Sequence, residues 1–229
     1  MEALTQIKQL EEEIEEALWS HEVAGDLDQA LAAYRKVETR LEEFGLAPEH
    51  PAYSEQQRVL AYCLMRESNI LRQRGKIQEA LQLSEREITA ARACGDDITL
   101  ARSLMSNGTN HIAGGEIEKG LALVEEGRAS FEKGDTYDHR QGLGWYWILR
   151  ADLANARIVD QGPADAIEAA SRALAILMPL ENWPGVARAY AARAEAYRVL
   201  GDEGAVKSDR DAQVRYEQAA STASDAGAG

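Results

Sequence analysis

An all-α fold, a solenoid of about five antiparallel helix pairs, is predicted by a repeated turn and by the amino-acid composition. A short segment that begins with glycine recurs five times, each time between two segments in which apolar residues have helical spacing. The five turn glycines are Gly25, Gly75, Gly115, Gly162 and Gly201. Alanine, leucine, glutamate and arginine are abundant, whereas the chain has two Phe and five Pro. Internal repeats of this length predict stacked helical units, and the composition favours helices over sheets.

Ten helices are predicted because apolar residues recur every three or four positions in ten segments. In the first segment Ile7, Leu10 and Ile14 share one face with His21. In chain order the predicted helices are Leu4–Ala24, Leu27–Glu43, Ser54–Arg74, Gln78–Ala93, Ile98–Ala113, Glu118–Lys133, His139–Asp160, Ala164–Leu177, Gly185–Leu200 and Gly204–Ser221. Each turn glycine follows a predicted helix, where the chain often needs the left-handed conformation that glycine adopts without a steric penalty.

Prolines mark several of the predicted boundaries. Pro48 and Pro51 lie so close together that a loop must separate the second helix from the third. Pro179 ends the eighth helix, and Pro184 stands near the first turn of the ninth. We expect one domain over residues 1–220 and a disordered tail over residues 221–229, which contain only Ser, Thr, Ala, Asp and Gly.

The net charge of −14 is concentrated at one end of the chain. Residues 1–50 hold 4 Lys and Arg against 13 Asp and Glu, a balance of −9. An acidic protein repels phosphate backbones, so nucleic acid is not an expected partner. We find no secretory leader and no apolar stretch near the ~20 residues of a membrane span, so we expect no membrane partner and a cytoplasmic protein. Cys63 and Cys94 are expected to be buried and reduced.

The turn glycines belong to a longer pattern: a small residue, a large residue three positions later, the glycine, and a second helix with a small residue near its start. In the third repeat the pattern comprises Leu104, Asn107, Gly108, His111, Gly115, Gly120, Val124 and Gly127. In the second repeat it comprises Leu64, Ser68, Leu71, Gly75, Ala80 and Ser84. The pattern covers roughly residues 11–220 and resembles the tetratricopeptide repeat, and its long, irregular units resemble the bacterial regulatory type.

This resemblance implies a right-handed α-solenoid in which the first helix of each pair lines a concave groove that binds peptides. The spacing of the family then assigns ten groove candidates: Tyr62, Met65, Arg66, Asn69, Arg72, Gln73, Arg102, Met105, Thr109 and Arg188. Arg66 and Arg102 could bind a carboxylate, because the guanidinium matches two oxygens. Asn69 could pair with a peptide backbone, and the two methionines supply adaptable apolar contact. The alternative is that these polar side chains are solvated or paired with Glu67, Asp96 or Glu116. The family's carboxylate clamp is not intact, because Met65 stands where it requires lysine.

Two other surfaces are candidates for contact with a partner. An acidic strip on the first helix, with Trp19 among its glutamates, could bind a basic segment or the Arg188 and Arg198 region of a second copy; the alternative is a solvated face. The densest aromatic cluster is Trp145, Tyr146 and Trp147. Consecutive helical residues point about 100° apart, so we expect one or two of these rings to pack inside and the other to reach a partner.

The sequence therefore predicts a non-enzymatic adaptor or scaffold that binds a peptide or protein segment in its groove. The alternative is a self-associating structural module, such as a homodimer. An enzyme is not expected, because no catalytic motif, phosphate loop or metal-ligand spacing is present, and we expect neither a cofactor nor a metal. His21 and His111 occupy the large-residue positions of their repeats, where core packing is the simpler explanation.

Overall fold

A computed structural model describes residues 2–159 and 162–227 of the chain, with side chains described through residue 222. Within these residues the chain forms ten α-helices and no strand, which confirms the all-α prediction. The helices are α1 (Glu2–Ala17), α2 (Leu27–Glu43), α3 (Tyr53–Gln73), α4 (Ile77–Cys94), α5 (Asp97–Ala113), α6 (Ile117–Phe131), α7 (Tyr137–Asn155), α8 (Pro163–Leu177), α9 (Trp183–Leu200) and α10 (Glu203–Gly227).

Four of the five turn glycines adopt the left-handed conformation that the sequence predicts, with φ between +72° and +88°. Gly162 does not, since its φ is −113° and its ψ −173° at the N-cap of α8. In this turn Arg157 takes the left-handed conformation, with φ of 55°. The expectation for Gly162 was wrong because α7 already ends at Asn155, so the chain reverses several residues before the glycine.

The first and last helices also differ from their predicted bounds. The first is interrupted by a π-helical turn, Leu18–Glu22, in which the Val23 amide donates to the Leu18 carbonyl (2.9 Å). The last helix continues to Gly227, although we expected it to end near Ser221. Residues 219 and 220 are half-buried alanines, and alanine is the strongest helix former, so nothing in this segment stops the helix. Residues 228 and 229 of the expected tail lie outside the described residues.

The chain divides into two compact units, Met1–Ser130 and Phe131–Gly229, and the single domain over residues 1–220 stays a prediction. In the first unit consecutive helices pack against each other, and α3 also contacts both α1 and α5. The core contains fully buried Tyr34, Leu41, Leu64 and Leu71. The first helices of successive pairs therefore lie side by side in this unit, as the repeat pattern requires.

In the second unit α7 packs against α8 and α9, and α9 packs against α10. Its core is lined mainly by alanines, with Trp147 packed at the edge of two of its clusters and Leu177 fully buried. No helix in the described part of the chain is long and apolar enough to cross a membrane.

Candidate partner-binding strip

Nine of the ten predicted groove residues lie on two neighbouring helices of the first unit. We call them the α3–α5 strip: Tyr62, Met65, Arg66, Asn69, Arg72 and Gln73 on α3, and Arg102, Met105 and Thr109 on α5. All are half-buried except Gln73, which is exposed. Their spacing of three or four residues places them along one face of each helix. The strip is thus a row of partly exposed side chains on two helices that pack against each other.

Arg66 of the strip already binds a carboxylate, which belongs to the chain itself. Its Nε donates to Glu22 Oε2 (3.1 Å) and its second guanidinium nitrogen donates to Glu22 Oε1. The Tyr34 hydroxyl donates to the same Glu22 Oε2 (2.8 Å). The Arg66 and Glu22 side chains are only 19% and 10% exposed, so water screens this pair little. Although burial opposes it, Glu22 raises the pKa of Arg66 above its usual range.

The partner of Arg66 is therefore none of the three residues considered from the sequence. Glu22 lies 44 residues earlier, at the end of the π-helical turn. The wider turn rotates Glu22 relative to a continuous α-helix, and it is in this position that Glu22 meets both Arg66 and Tyr34. Arg66 thus has the chemistry that the sequence suggested, but its guanidinium is neutralised within the fold.

Other acidic residues of α1 contact α3 in the same way. The Tyr62 hydroxyl donates to Glu15 Oε1 (2.7 Å), and Arg58 donates to Glu11 Oε2 (2.6 Å). Burial, followed by the charge of Glu15, raises the pKa of Tyr62 above its usual range. Part of the predicted acidic strip therefore holds α1 against α3 and does not face an external partner.

Asn69 and Arg72 form the polar centre of the strip. A guanidinium nitrogen of Arg72 donates to Asn69 Oδ1 (3.2 Å), so the amide oxygen that we expected to bind a peptide is oriented by its neighbour. The contact places the Asn69 amide nitrogen beside the Arg72 guanidinium. Two neighbouring donors of this kind match the oxygens of a peptide carbonyl or a carboxylate.

The α5 part of the strip is more closely tied to the fold. Thr109 Oγ1 donates to the Met105 carbonyl (2.8 Å), and Met105 Cγ lies 3.0 Å from the position that a Cβ on Gly127 of α6 would occupy. The charge of Arg102 contributes, after hydrogen bonds from Thr99, to a lowered pKa of Asp96 despite partial burial. Met105 and Thr109 therefore help to pack and order α5 as well as lining the strip.

Arg188, the tenth predicted residue, lies on α9 in the second unit. Its guanidinium donates to Asp152 Oδ2 of α7 (2.7 Å), and Arg198 makes two bonds to Glu195 (2.6 and 2.9 Å). Both arginines, which are the candidate partners for the acidic strip of a second copy, thus already donate to carboxylates in their own unit.

The aromatic cluster on α7 is divided between core and surface, as the 100° rotation per residue requires. Tyr146 is buried, and the Trp147 ring meets it edge-on at a centroid distance of 5.1 Å while Arg172 lies 4.5 Å above its centroid. Trp145 remains 38% exposed. Trp145 is the large aromatic residue of this cluster that a partner could reach.

Sequence reasoning missed two buried carboxyl groups in the first unit. Glu67 is 1% exposed and Glu87 is fully buried. Burial raises the pKa of both carboxyls, for Glu87 in spite of hydrogen bonds from Ser103 and Ser106. The spacing could have revealed them, since each stands one turn along the helix from residues of the core face.

The contacts of Glu87 agree with a neutral carboxyl. Ser106 donates to Glu87 Oε2 (3.2 Å), whereas the buried Oε1 has no hydrogen-bond partner. Protonation removes the buried charge and gives this carboxyl a donor that a carboxylate lacks.

Of the two histidines assigned to core positions, His111 is buried and His21 is half-buried.

No protein-family model matches the sequence, and no curated protein matches it significantly. Solved structures with similar repeats match over nearly the whole chain. A kinesin-light-chain-like protein of Podosopora anserina with nearly identical TPR-like repeats is 19% identical, with 96% of this chain and 98% of that chain covered and a TM-score of 0.53. BtubC (BKLC) from P. vanneervenii is 16% identical, with 96% and 92% covered and a TM-score of 0.56.

At this level of identity the likeness concerns the fold. It agrees with the packing of successive first helices in the first unit and with the left-handed turn glycines. The chain has the tetratricopeptide-like repeat fold.

Proposed function

We propose that the protein is a non-enzymatic adaptor that binds an extended segment of a partner protein along the α3–α5 strip. The observation that carries this proposal is the face of α3 on which side chains from Tyr62 to Gln73 stay partly exposed over three turns, while the other residues between 59 and 71 are buried. Such a row offers apolar contact and hydrogen-bonding groups to an extended segment.

The chemistry of the strip favours a peptide with polar and apolar groups in succession. Asn69 and Arg72 offer hydrogen-bond donors, and Met65 offers a flexible thioether beside them. Because Glu22 neutralises Arg66, we expect Arg66 to attract the acidic groups of a ligand less than its position in the strip suggests.

Site-specific photo-crosslinking tests the proposal because it reports direct contact between a position of the strip and the partner. A photoreactive amino acid is placed at Asn69 or at Met105, and as a control at Gln82, which is exposed on α4, the second helix of its pair. We expect positions 69 and 105 to crosslink to the same partner segment in a lysate of the source cell, identified by mass spectrometry.

Crosslinks from position 82 alone would overturn the assignment of the strip. Crosslinks from position 69 to a second copy of this chain would instead favour the self-associating module. As an independent check on a captured partner, Asn69→Ala should weaken its affinity several-fold, because it removes both the amide and the orientation of Arg72.

A further inference from the structure

One turn of α3 in the α3–α5 strip meets two carboxylates, one from α1 and one from the π-helical turn. Tyr62 and Arg66 are four residues apart, so they lie on the same face of α3. The Tyr62 hydroxyl donates to Glu15 Oε1 (2.7 Å), and two nitrogens of Arg66 donate to Glu22. We call these four side chains the Tyr62 end of the strip. Their formal charges are two negative and one positive.

The two carboxylates of the Tyr62 end differ in their surroundings. Glu22 accepts three hydrogen bonds, two from Arg66 and one from the buried Tyr34 hydroxyl (2.8 Å), and only 10% of its side chain is exposed. Glu15 is exposed and is held by the Tyr62 hydroxyl at the border of the strip. Glu22 is therefore fixed between α2 and α3, whereas Glu15 is the carboxylate that a partner meets.

The pairing of Glu22 with Arg66 reverses the charge preference that the sequence suggested for this position. A guanidinium by itself attracts a carboxylate. Beside the Glu22–Arg66 pair, a further carboxylate would meet the excess negative charge of Glu15, and the Arg66 side chain is only 19% exposed. An ammonium or guanidinium group would instead meet an exposed carboxylate of opposite charge.

We propose that Glu22 sets the charge selectivity of the strip, so that the Tyr62 end excludes acidic side chains of a partner segment and binds basic ones. The class of partner rests on the proposed function: a segment bound along the strip carries lysine or arginine where it crosses Tyr62. Selectivity of this kind repels the wrong partners as well as attracting the right one.

Two small ions that copy side chains test this selectivity before any partner is known. Butylammonium copies lysine, and propionate copies glutamate. Each ion is titrated into the wild type while NMR follows the ring signals of Tyr62 and the Nε–Hε signal of Arg66. We expect butylammonium to shift the Tyr62 signals to saturation and propionate to shift neither residue. A saturable shift of Arg66 with propionate, or no shift of Tyr62 with butylammonium, would overturn the proposal.

Glu15→Gln and Glu43→Gln are matched variants, because each removes one exposed carboxylate, from α1 and from α2. We expect the affinity for butylammonium to fall several-fold in Glu15→Gln and to keep its wild-type value in Glu43→Gln. Equal losses in the two variants would mean that the overall negative charge of the chain attracts the ion, which contradicts a site at Tyr62.

The variant Glu22→Gln tests the residue to which the selectivity is assigned. Glutamine keeps the size of the side chain and leaves the charge of Arg66 without its carboxylate. We expect propionate to shift the Arg66 Nε–Hε signal to saturation in this variant. If the folded variant still does not respond to propionate, Glu22 does not set the preference.

A double variant, Glu22→Gln with Arg66→Gln, keeps the test decisive if Glu22→Gln alone does not fold. It removes both charges of the pair, so it leaves no buried charge without a partner. If Glu22 neutralises Arg66, the double variant should bind butylammonium with the wild-type affinity and should not bind propionate. A changed affinity for either ion would contradict the neutralisation.

The outcomes separate the charge preference from the adaptor function. A partner segment that crosslinks to positions 69 and 105 and places an acidic residue over Tyr62 would support the adaptor and overturn the charge preference. The expected response to the two ions, with crosslinks from position 82 alone, would support the charge preference and overturn the assignment of the strip.

Discussion

In the first unit buried polar side chains are common on α3, α4 and α5, whereas the buried side chains on α7, α8 and α9 of the second unit are mainly alanine. The polar set is Gln56, Glu67, Ser68, Ser84, Glu87, Ser103, Ser106, Asn107, Asn110 and His111. The alanine set is Ala151, Ala154, Ala166, Ala169, Ala170, Ala173, Ala187, Ala189, Ala192, Ala194 and Ala196. Both units carry the same repeated helix pair, but different forces hold their helices in place.

Directional contacts order the helices of the first unit. Asn110 Nδ2 donates to Ser84 Oγ (2.7 Å), and the Ser106 hydroxyl donates to Glu87 Oε2 (3.2 Å), so α4 and α5 are joined by hydrogen bonds inside the core. Buried groups of this kind are costly when a partner is lost. We infer that the first unit is sensitive to pH and to single polar substitutions.

Close packing and a few large rings order the second unit. Alanine lets neighbouring helices approach closely but fills little space, and Trp147 packs both against a cluster of four alanines and against a second cluster that also holds Ile148, Leu174, Leu177 and Val186. At α9 and α10, Tyr216 stacks between Trp183 and Tyr190, with centroid distances of 5.5 and 5.7 Å. We infer that the second unit is sensitive to the loss of aromatic rings.

The largest effect is expected from Trp147→Ala, which would remove the ring that completes the alanine core. We expect the free energy of unfolding to fall by about 3 kcal/mol, measured by urea unfolding with circular dichroism. Trp145→Ala is the matched control, because that residue is two positions away and 38% exposed, and it should change stability by less than about 0.5 kcal/mol. Equal losses in the two variants would refute this account of the second unit.

A second test compares two helical glycines, one in each unit. A Cβ at Gly120 of α6 would lie 2.5 Å from the Gly108 carbonyl oxygen of α5, so Gly120→Ala should force the helices apart and cost about 2 kcal/mol. A Cβ at Gly204 of α10 would meet no atom closer than Asp202 Oδ1 at 3.6 Å. Gly204→Ala should therefore stabilise the chain by about 0.5 kcal/mol in the same unfolding assay. We expect the free energy of unfolding to fall in Gly120→Ala and to rise in Gly204→Ala. A lower free energy of unfolding in Gly204→Ala would contradict this expectation.

The smallest effect concerns Glu87→Gln in the polar core. Burial raises the pKa of Glu87 well above its ordinary value, so the folded state keeps a proton that the unfolded state releases above about pH 4.5. The wild type therefore loses stability as the pH rises, and glutamine avoids this loss. We expect the variant to gain on the order of 1 kcal/mol relative to wild type between pH 5 and pH 8, in urea titrations at each pH.

Glu85→Gln, at an exposed position of the same helix, is the control for this titration and should show no such gain. A difference between wild type and Glu87→Gln that stays constant with pH would mean that Glu87 is ionised in the fold.

The sequence alone determined the all-α class, the ten helices and most of their bounds, because these depend on local spacing, on glycine in left-handed turns and on proline. It also placed Tyr62, Met65 and Asn69 on one face of a helix, since side-chain direction follows from helical geometry. The same rule predicted that the side chains of Trp145, Tyr146 and Trp147 do not share one face of the helix.

Only the tertiary structure decided which of these side chains remain available to a partner. The π-helical turn that brings Glu22 to Arg66 joins residues 44 positions apart, and no local rule specifies such a pair. The same holds for Arg86 of α4, which contacts Glu38 and Glu42 of α2 (2.5 and 2.6 Å). Charge pairs and the division into two compact units depend on which helices meet, and those contacts arise from packing over the whole unit.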